Sequence, residues 1–226
     1  MRKIFIDCGT NMGMGFADLA PSIGIDHTWE VFGFEPNVYA YDAYVKNIES
    51  GRFAVLENKN FNLQNVAVWN EDTTIDFCHE ACTKDYGQEE IDRINKSYAD
   101  GKTLDFVDYD LPATGGSCVK EMHDQLKRPE GHAKKLHFPE TGKVEAIDFS
   151  KWVLENFTEE DFIILKMDIE GSEYKVLPKM IEDGSIKFIN KLIIEWHNWQ
   201  FPQYNELTSS LSTKISSSGV QIMGWG

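Results

Sequence analysis

The sequence predicts an α/β fold: a mostly parallel sheet with helices on both faces, and a long insert between about residues 80 and 142. Three observations lead there. The β-prone run Arg2-Lys3-Ile4-Phe5-Ile6 passes directly into a glycine-rich bend, Asp7-Cys8-Gly9-Thr10-Asn11-Met12-Gly13-Met14-Gly15, and then into an apolar helical pattern. That is the opening of a nucleotide-binding βαβ unit. A second apolar run, Val31-Phe32-Gly33-Phe34, ends in the carboxylate of Glu35, roughly where such folds place the acid that holds a ribose. Strand-like and helix-like segments then continue to alternate, as parallel strands joined by helical crossovers do.

The elements follow in order. A first strand is expected over 3–7 and a helix near 14–21. Between them Gly9 can take a positive φ, and neither Gly9 nor Gly13 puts a Cβ in the way of a ligand. The dinucleotide signature G-x-G-x-x-G cradles a pyrophosphate on a helix N-terminus. Here the glycines fall at 9, 13 and 15 behind Asp7, an order that suits a ligand with an amino-acid end and no phosphate. Asp7, Gly9, Asn11 and Gly13 are therefore cofactor-binding candidates. The strand 31–35 presents Glu35 to two ribose hydroxyls, and Pro36, with fixed φ and no N–H, can lie flat against a purine. A helix follows near 37–49, then strands over 63–68 and 74–78. Asn65 and Ala67 lie where such folds meet an adenine ring, and an Asn amide can pair with the purine edge.

From about 80 to 142 the pattern gives way to charged and small residues, including Pro112-Ala113-Thr114-Gly115-Gly116-Ser117. An insert this long in a compact domain is expected to be a lid, an acceptor-binding loop or a disordered segment. Strand character resumes at Val144-Glu145-Ala146-Ile147-Asp148, before a helix over 150–156. The apolar strand 162–167 ends at Asp168, a helix follows over 173–183, and a strand over 190–196 ends at His197. After it the chain offers one good strand candidate, Val220-Gln221-Ile222-Met223.

Composition bounds the function. The 226 residues, 42% hydrophobic, are enough for one large α/β domain, and no run approaches the ~20 apolar residues of a membrane span. The glycine turn begins too early for a signal peptide, so a cytoplasmic location is expected. The net charge of −15 lacks the basic track that nucleic acid demands. Cys78-His79-Glu80-Ala81-Cys82 offers metal ligands but has no second cluster to complete a tetrahedral set. The sequence carries no signal for an oligomeric state.

Four segments resemble the FkbM-type methyltransferases, a branch of the class I S-adenosylmethionine-dependent enzymes: Ile6-Asp7-Cys8-Gly9-Thr10-Asn11-Met12-Gly13, Phe34-Glu35-Pro36-Asn37, Asn65-Val66-Ala67-Val68 and Leu165-Lys166-Met167-Asp168-Ile169-Glu170-Gly171-Ser172-Glu173. The resemblance runs from residue 4 to about 197 and is weak between about 80 and 140. It implies a Rossmann-like class I methyltransferase fold, S-adenosylmethionine as methyl donor, and a hydroxyl acceptor on a small molecule such as a sugar or polyketide. Ser117 resembles a family serine that precedes the donor site.

Methyl transfer to a hydroxyl asks for a proton acceptor. His197, Asp168 and Glu170 are expected to converge at the carboxyl edge of the sheet, with His197 as base and Asp168 also touching the donor. Asp168, Glu195 and Asn198 offer an alternative, oxygen ligands for Mg²⁺. That set resembles catechol O-methyltransferase, except that Gly171 stands where that enzyme's catalytic lysine would be. Trp196 and Trp199 are candidates to stack on a sugar. Two other classes compete: a non-catalytic S-adenosylmethionine-binding module, and an NAD-dependent oxidoreductase, which the glycine spacing disfavours.

Overall fold

The computed structural model describes residues 1–51, 61–79, 118–127 and 140–225. Its main sheet orders as β10-β9-β8-β1-β2-β3, where β1 is Lys3–Cys8, β2 Trp29–Phe34, β3 Phe61–Gln64, β8 Phe162–Met167, β9 Lys191–Ile194 and β10 Gln221–Gly224. Every adjoining pair is parallel. A second sheet orders as β4-β7-β5-β6, from β4 (Ala67–Trp69), β5 (Thr73–His79), β6 (Cys118–Val119) and β7 (Glu140–Asp148).

The central strands are apolar on both sides because both faces of the main sheet are covered. Phe5, Val31, Ile164 and Ile193 pack on one face under α1 (Met14–Ile23) and α2 (Val38–Glu49), through Phe16, Leu19, Tyr44 and Ile48. Ile4, Ile6, Leu165, Met167 and Leu192 face the other way, toward α4 (Phe149–Asn156), α5 (Glu173–Asp183) and α6 (Asn205–Ser217). The short α3 (Lys120–His123) and the second sheet join that same core through Met122, Trp69 and Phe77. Local chemistry sets the helix starts. The Asn37 side chain accepts from the Tyr39 N–H at 3.1 Å, and Asp148 accepts from the Lys151 N–H at 3.0 Å, each supplying a partner the first turn lacks.

Two expectations change. The single strand over 63–68 is two strands in different sheets, β3 and β4, broken where the Asn65 amide turns back to donate to the Glu35 carbonyl at 2.8 Å. The last strand, expected over 220–223, is Gln221–Gly224 and lies parallel to β9, with Gln221 opposite Lys191. Most of the expected insert, 80–117 and 128–139, lies outside the described residues, as do Ser117 and Glu80-Ala81-Cys82. Among the described residues no helix is long and apolar enough to cross a membrane.

Candidate active site

The bend after β1 is built around Gly9, whose φ of 75° favours glycine. A Cβ at this position would also collide with the backbone carbonyl of Asp168, so the glycine lets the ends of β1 and β8 close on each other. Beneath the bend lies Lys166, 2% exposed, donating to the Gly9 carbonyl oxygen at 3.1 Å. Its Nζ is 3.1 Å from Asp7 Oδ1 and 3.5 Å from Asp168 Oδ2. Burial alone would lower the lysine's pKa, but Asp7 and Asp168 outweigh it and hold the ammonium charged. Asp7 is fully buried and turned to this lysine, so it does not line the cavity as a donor-binding acid would. The register explains this: Asp7 and Lys166 are opposite partners on β1 and β8 and share one face of the sheet.

At the end of β2, Glu35 Oε2 accepts from the Asn11 N–H at 2.8 Å and Oε1 from the Asn37 N–H at 2.9 Å. The carboxylate thus ties the glycine turn to the start of α2. Burial raises its pKa to about 7, against the lowering by those two N–H groups.

The opposite wall is organised by Glu173, the first residue of α5. Its Oε1 accepts from the Ile169 N–H and its Oε2 from the Gly171 N–H, both at 2.8 Å. These bonds fold the Asp168–Glu170 segment into a tight arch, with Glu170 at φ 53°. Oε1 also lies 3.2 Å from His197 Nδ1. The other ring nitrogen, Nε2, faces Glu170 Oε2 at 3.5 Å, Asp168 Oδ1 at 3.7 Å and Glu195 Oε1 at 3.8 Å. Burial would lower the His197 pKa, yet Glu173, Glu170 and Asp168 raise it to about 10, while burial lifts Glu170 to about 8 and also raises Glu195. Those carboxylates favour the charged form of the ring, which argues against the neutral base expected from sequence.

These parts enclose a cavity of about 300 Å³ at the carboxyl ends of β1, β2 and β8, where open α/β folds bind ligands. Gly9, Asn11, Glu35, Pro36 and Ala67 line one side, and Asp168, Glu170, Glu195 and His197 the other. Val68, Phe77 and Val119 add apolar surface to the lining. Several of the expected residues do not line the cavity. Gly13 caps α1 away from the cavity and Asn65 serves the Glu35 and Pro36 carbonyls, so neither lines it. Asn198 donates to Asn205 at 3.0 Å and does not line it either. Trp199, about half exposed, is at the rim, while Trp196 tilts against Tyr174. Sequence reasoning missed Glu173 and Gln200. Glu173 carried a signal, an acid in the first turn of a helix that follows a glycine; Gln200 carried none.

The methyltransferase FkbM domain matches residues 7–217, nearly the whole chain and every element around the cavity. The chain belongs to the FkbM methyltransferase family. No curated protein matches it. A crystal structure of the methyltransferase FkbM from Methylobacillus flagellatus KT is similar at 10% identity and a TM-score of 0.45, over 92% of this chain and 36% of that one. The FkbM match joins the glycine turn, the Glu35 strand and the Asp168–Glu173 arch in one unit.

Proposed function

We propose that the chain is an S-adenosylmethionine-dependent O-methyltransferase acting on a hydroxyl of a small molecule or sugar. The observation that supports this best is a single cavity with two differently built sides. On the first, each Glu35 oxygen accepts one backbone N–H and keeps lone-pair capacity for a ribose hydroxyl. Pro36, Ala67, Val68 and Phe77 offer apolar surface to a purine, and the Gly9–Asn11 turn leaves room for the amino-acid end. On the second side, three carboxylates and an imidazole surround the place where an acceptor hydroxyl would stand.

The reaction is a displacement. The hydroxyl oxygen attacks the methyl carbon, the carbon–sulfur bond breaks with its electrons passing to sulfur, and the hydroxyl proton goes to a carboxylate. Most of the advantage comes from holding the two partners in line. We assign the proton to Asp168, with Glu170 and His197 holding that wall in place. Asp168 is preferred to His197 as base because the carboxylates around the ring favour its charged form.

Calorimetry with S-adenosylhomocysteine tests the donor half. Glu35→Ala is expected to weaken binding by roughly 1–3 kcal/mol, the cost of a lost charged hydrogen-bond partner. Unchanged affinity, or preferential binding of NAD, overturns the assignment. Release of S-adenosylhomocysteine from donor plus a panel of sugars and polyols separates an enzyme from a silent binding module.

A further inference from the structure

The arrangement around His197 is hard to explain as a set of hydrogen bonds. An N–H to oxygen bond spans about 2.7–3.2 Å, yet Nε2 stands 3.5, 3.7 and 3.8 Å from three separate carboxylates. One proton cannot serve three acceptors at those distances. Ligand atoms each about 2.1 Å from a shared ion stand roughly 3.0–3.5 Å apart, so a slight contraction would convert this spacing into a coordination shell. The atoms of Asp168, Glu170 and His197 already lie within 4.8 Å of one another.

Two further features point the same way. Glu173 holds Nδ1 at 3.2 Å while its own oxygens are fixed by two backbone N–H groups. A carboxylate on the far nitrogen of a histidine is the usual device for aiming the near one at a metal. Beside the cluster is Gln200, 5% exposed, whose Nε2 reaches Glu170 Oε2 at 3.5 Å while its Oε1 is buried with no hydrogen-bond partner. A buried amide oxygen without a donor costs free energy unless a cation or donor arrives. Among the described residues that line the cavity there is neither Lys nor Arg; Lys166 reaches Asp168 from beneath, on its other oxygen.

We propose that His197 Nε2 and the carboxylates of Asp168 and Glu170 form a divalent-cation site, with Glu195 and the buried Gln200 amide beside it. One imidazole among carboxylates suits a first-row transition ion such as Mn²⁺ better than Mg²⁺ or Ca²⁺, which favour all-oxygen shells. An ion bound there places two positive charges among these carboxylates. With the ion bound, Asp168 is a ligand and no longer the free base of the metal-free site, and the ion would instead polarise a hydroxyl on the acceptor wall. The site needs neither donor nor acceptor, so it stands or falls separately from methyl transfer.

The test is titration of chelator-treated protein with Mn²⁺, followed by loss of the free-ion paramagnetic resonance signal. One ion per chain is expected, and His197→Gln and Glu170→Gln should each weaken it at least tenfold. Glu173→Gln should weaken it by about 10–100-fold through misorientation of the ring. S-adenosylhomocysteine affinity measured on the same samples reports whether each variant is folded. No loss of signal from wild-type protein that binds S-adenosylhomocysteine overturns the site. So does binding that survives both His197→Gln and Glu170→Gln, which would mark an ion held on acidic surface elsewhere. Mn²⁺ binding without S-adenosylhomocysteine binding would keep the site and remove the donor assignment.

Discussion

Glu35 shows how one side chain can hold a turn together and wait for a ligand. Its folded pKa of about 7 lies above the ordinary 4.5 because burial disfavours the charge. Between those values the folded chain keeps a proton that the unfolded chain releases, so this residue's contribution to stability falls as pH rises through that window. Donor binding runs the other way, because only the ionised carboxylate accepts from both ribose hydroxyls. S-adenosylhomocysteine affinity is expected to rise about tenfold from pH 6 to pH 8 as the ionised fraction grows, and Glu35→Gln should flatten that profile. Calorimetry across the range checks it. Glu35 was legible in the sequence because a carboxylate closing an apolar strand has few structural uses. Asp7 looked the same, but it faces Lys166, a partner 159 positions away that it meets only through the β1–β8 register. His197 was legible as a site residue, but its protonation depends on Glu173, Glu170 and Asp168, which only the folded arch assembles.

At the scale of elements, the closest joint is between the bend after β1 and the end of β8. Gly9→Ala adds a left-handed backbone penalty and a clash with the Asp168 carbonyl, and should cost at least about 1–3 kcal/mol in urea denaturation. A second joint fastens the other end of the same strands. Arg2 donates to Asp161 Oδ1 at 3.0 Å and Oδ2 at 2.7 Å, and this pairing lowers the Asp161 pKa to about 2. A lowered acid contributes stability above its unfolded pKa and loses it as pH falls toward the folded one. Melting temperatures of Asp161→Asn and wild type should therefore differ most at neutral pH and converge between about pH 4 and 2. The strands β1, β2 and β8 were readable because burial on both faces makes them continuous apolar runs. The division into β3 and β4 was not, because it depends on Asn65 reaching a carbonyl on another segment. The nine-residue β7 begins four positions before its apolar signal, where only pairing with β5 keeps Glu140–Lys143 extended.

The whole molecule carries a net charge of −15. Self-repulsion of that size opposes compactness and is screened by salt. The melting temperature is expected to rise between 10 and about 300 mM sodium chloride, as the Debye length falls from ~30 Å at 10 mM to below 8 Å. A flat or falling response in differential scanning calorimetry would show that local ion pairs such as Arg2–Asp161 outweigh the net repulsion. The topology has a consequence for how the chain is made. β1 sits at the middle of the main sheet, yet one neighbour, β8, pairs Phe162 with Lys3. On a ribosome the first strand emerges long before that neighbour, leaving an apolar edge unpaired and Asp7 without its lysine while more than a hundred residues are added. Nascent chains stalled before β8 should therefore be protease-sensitive and bind chaperones, and become resistant only after Lys166 has left the exit tunnel.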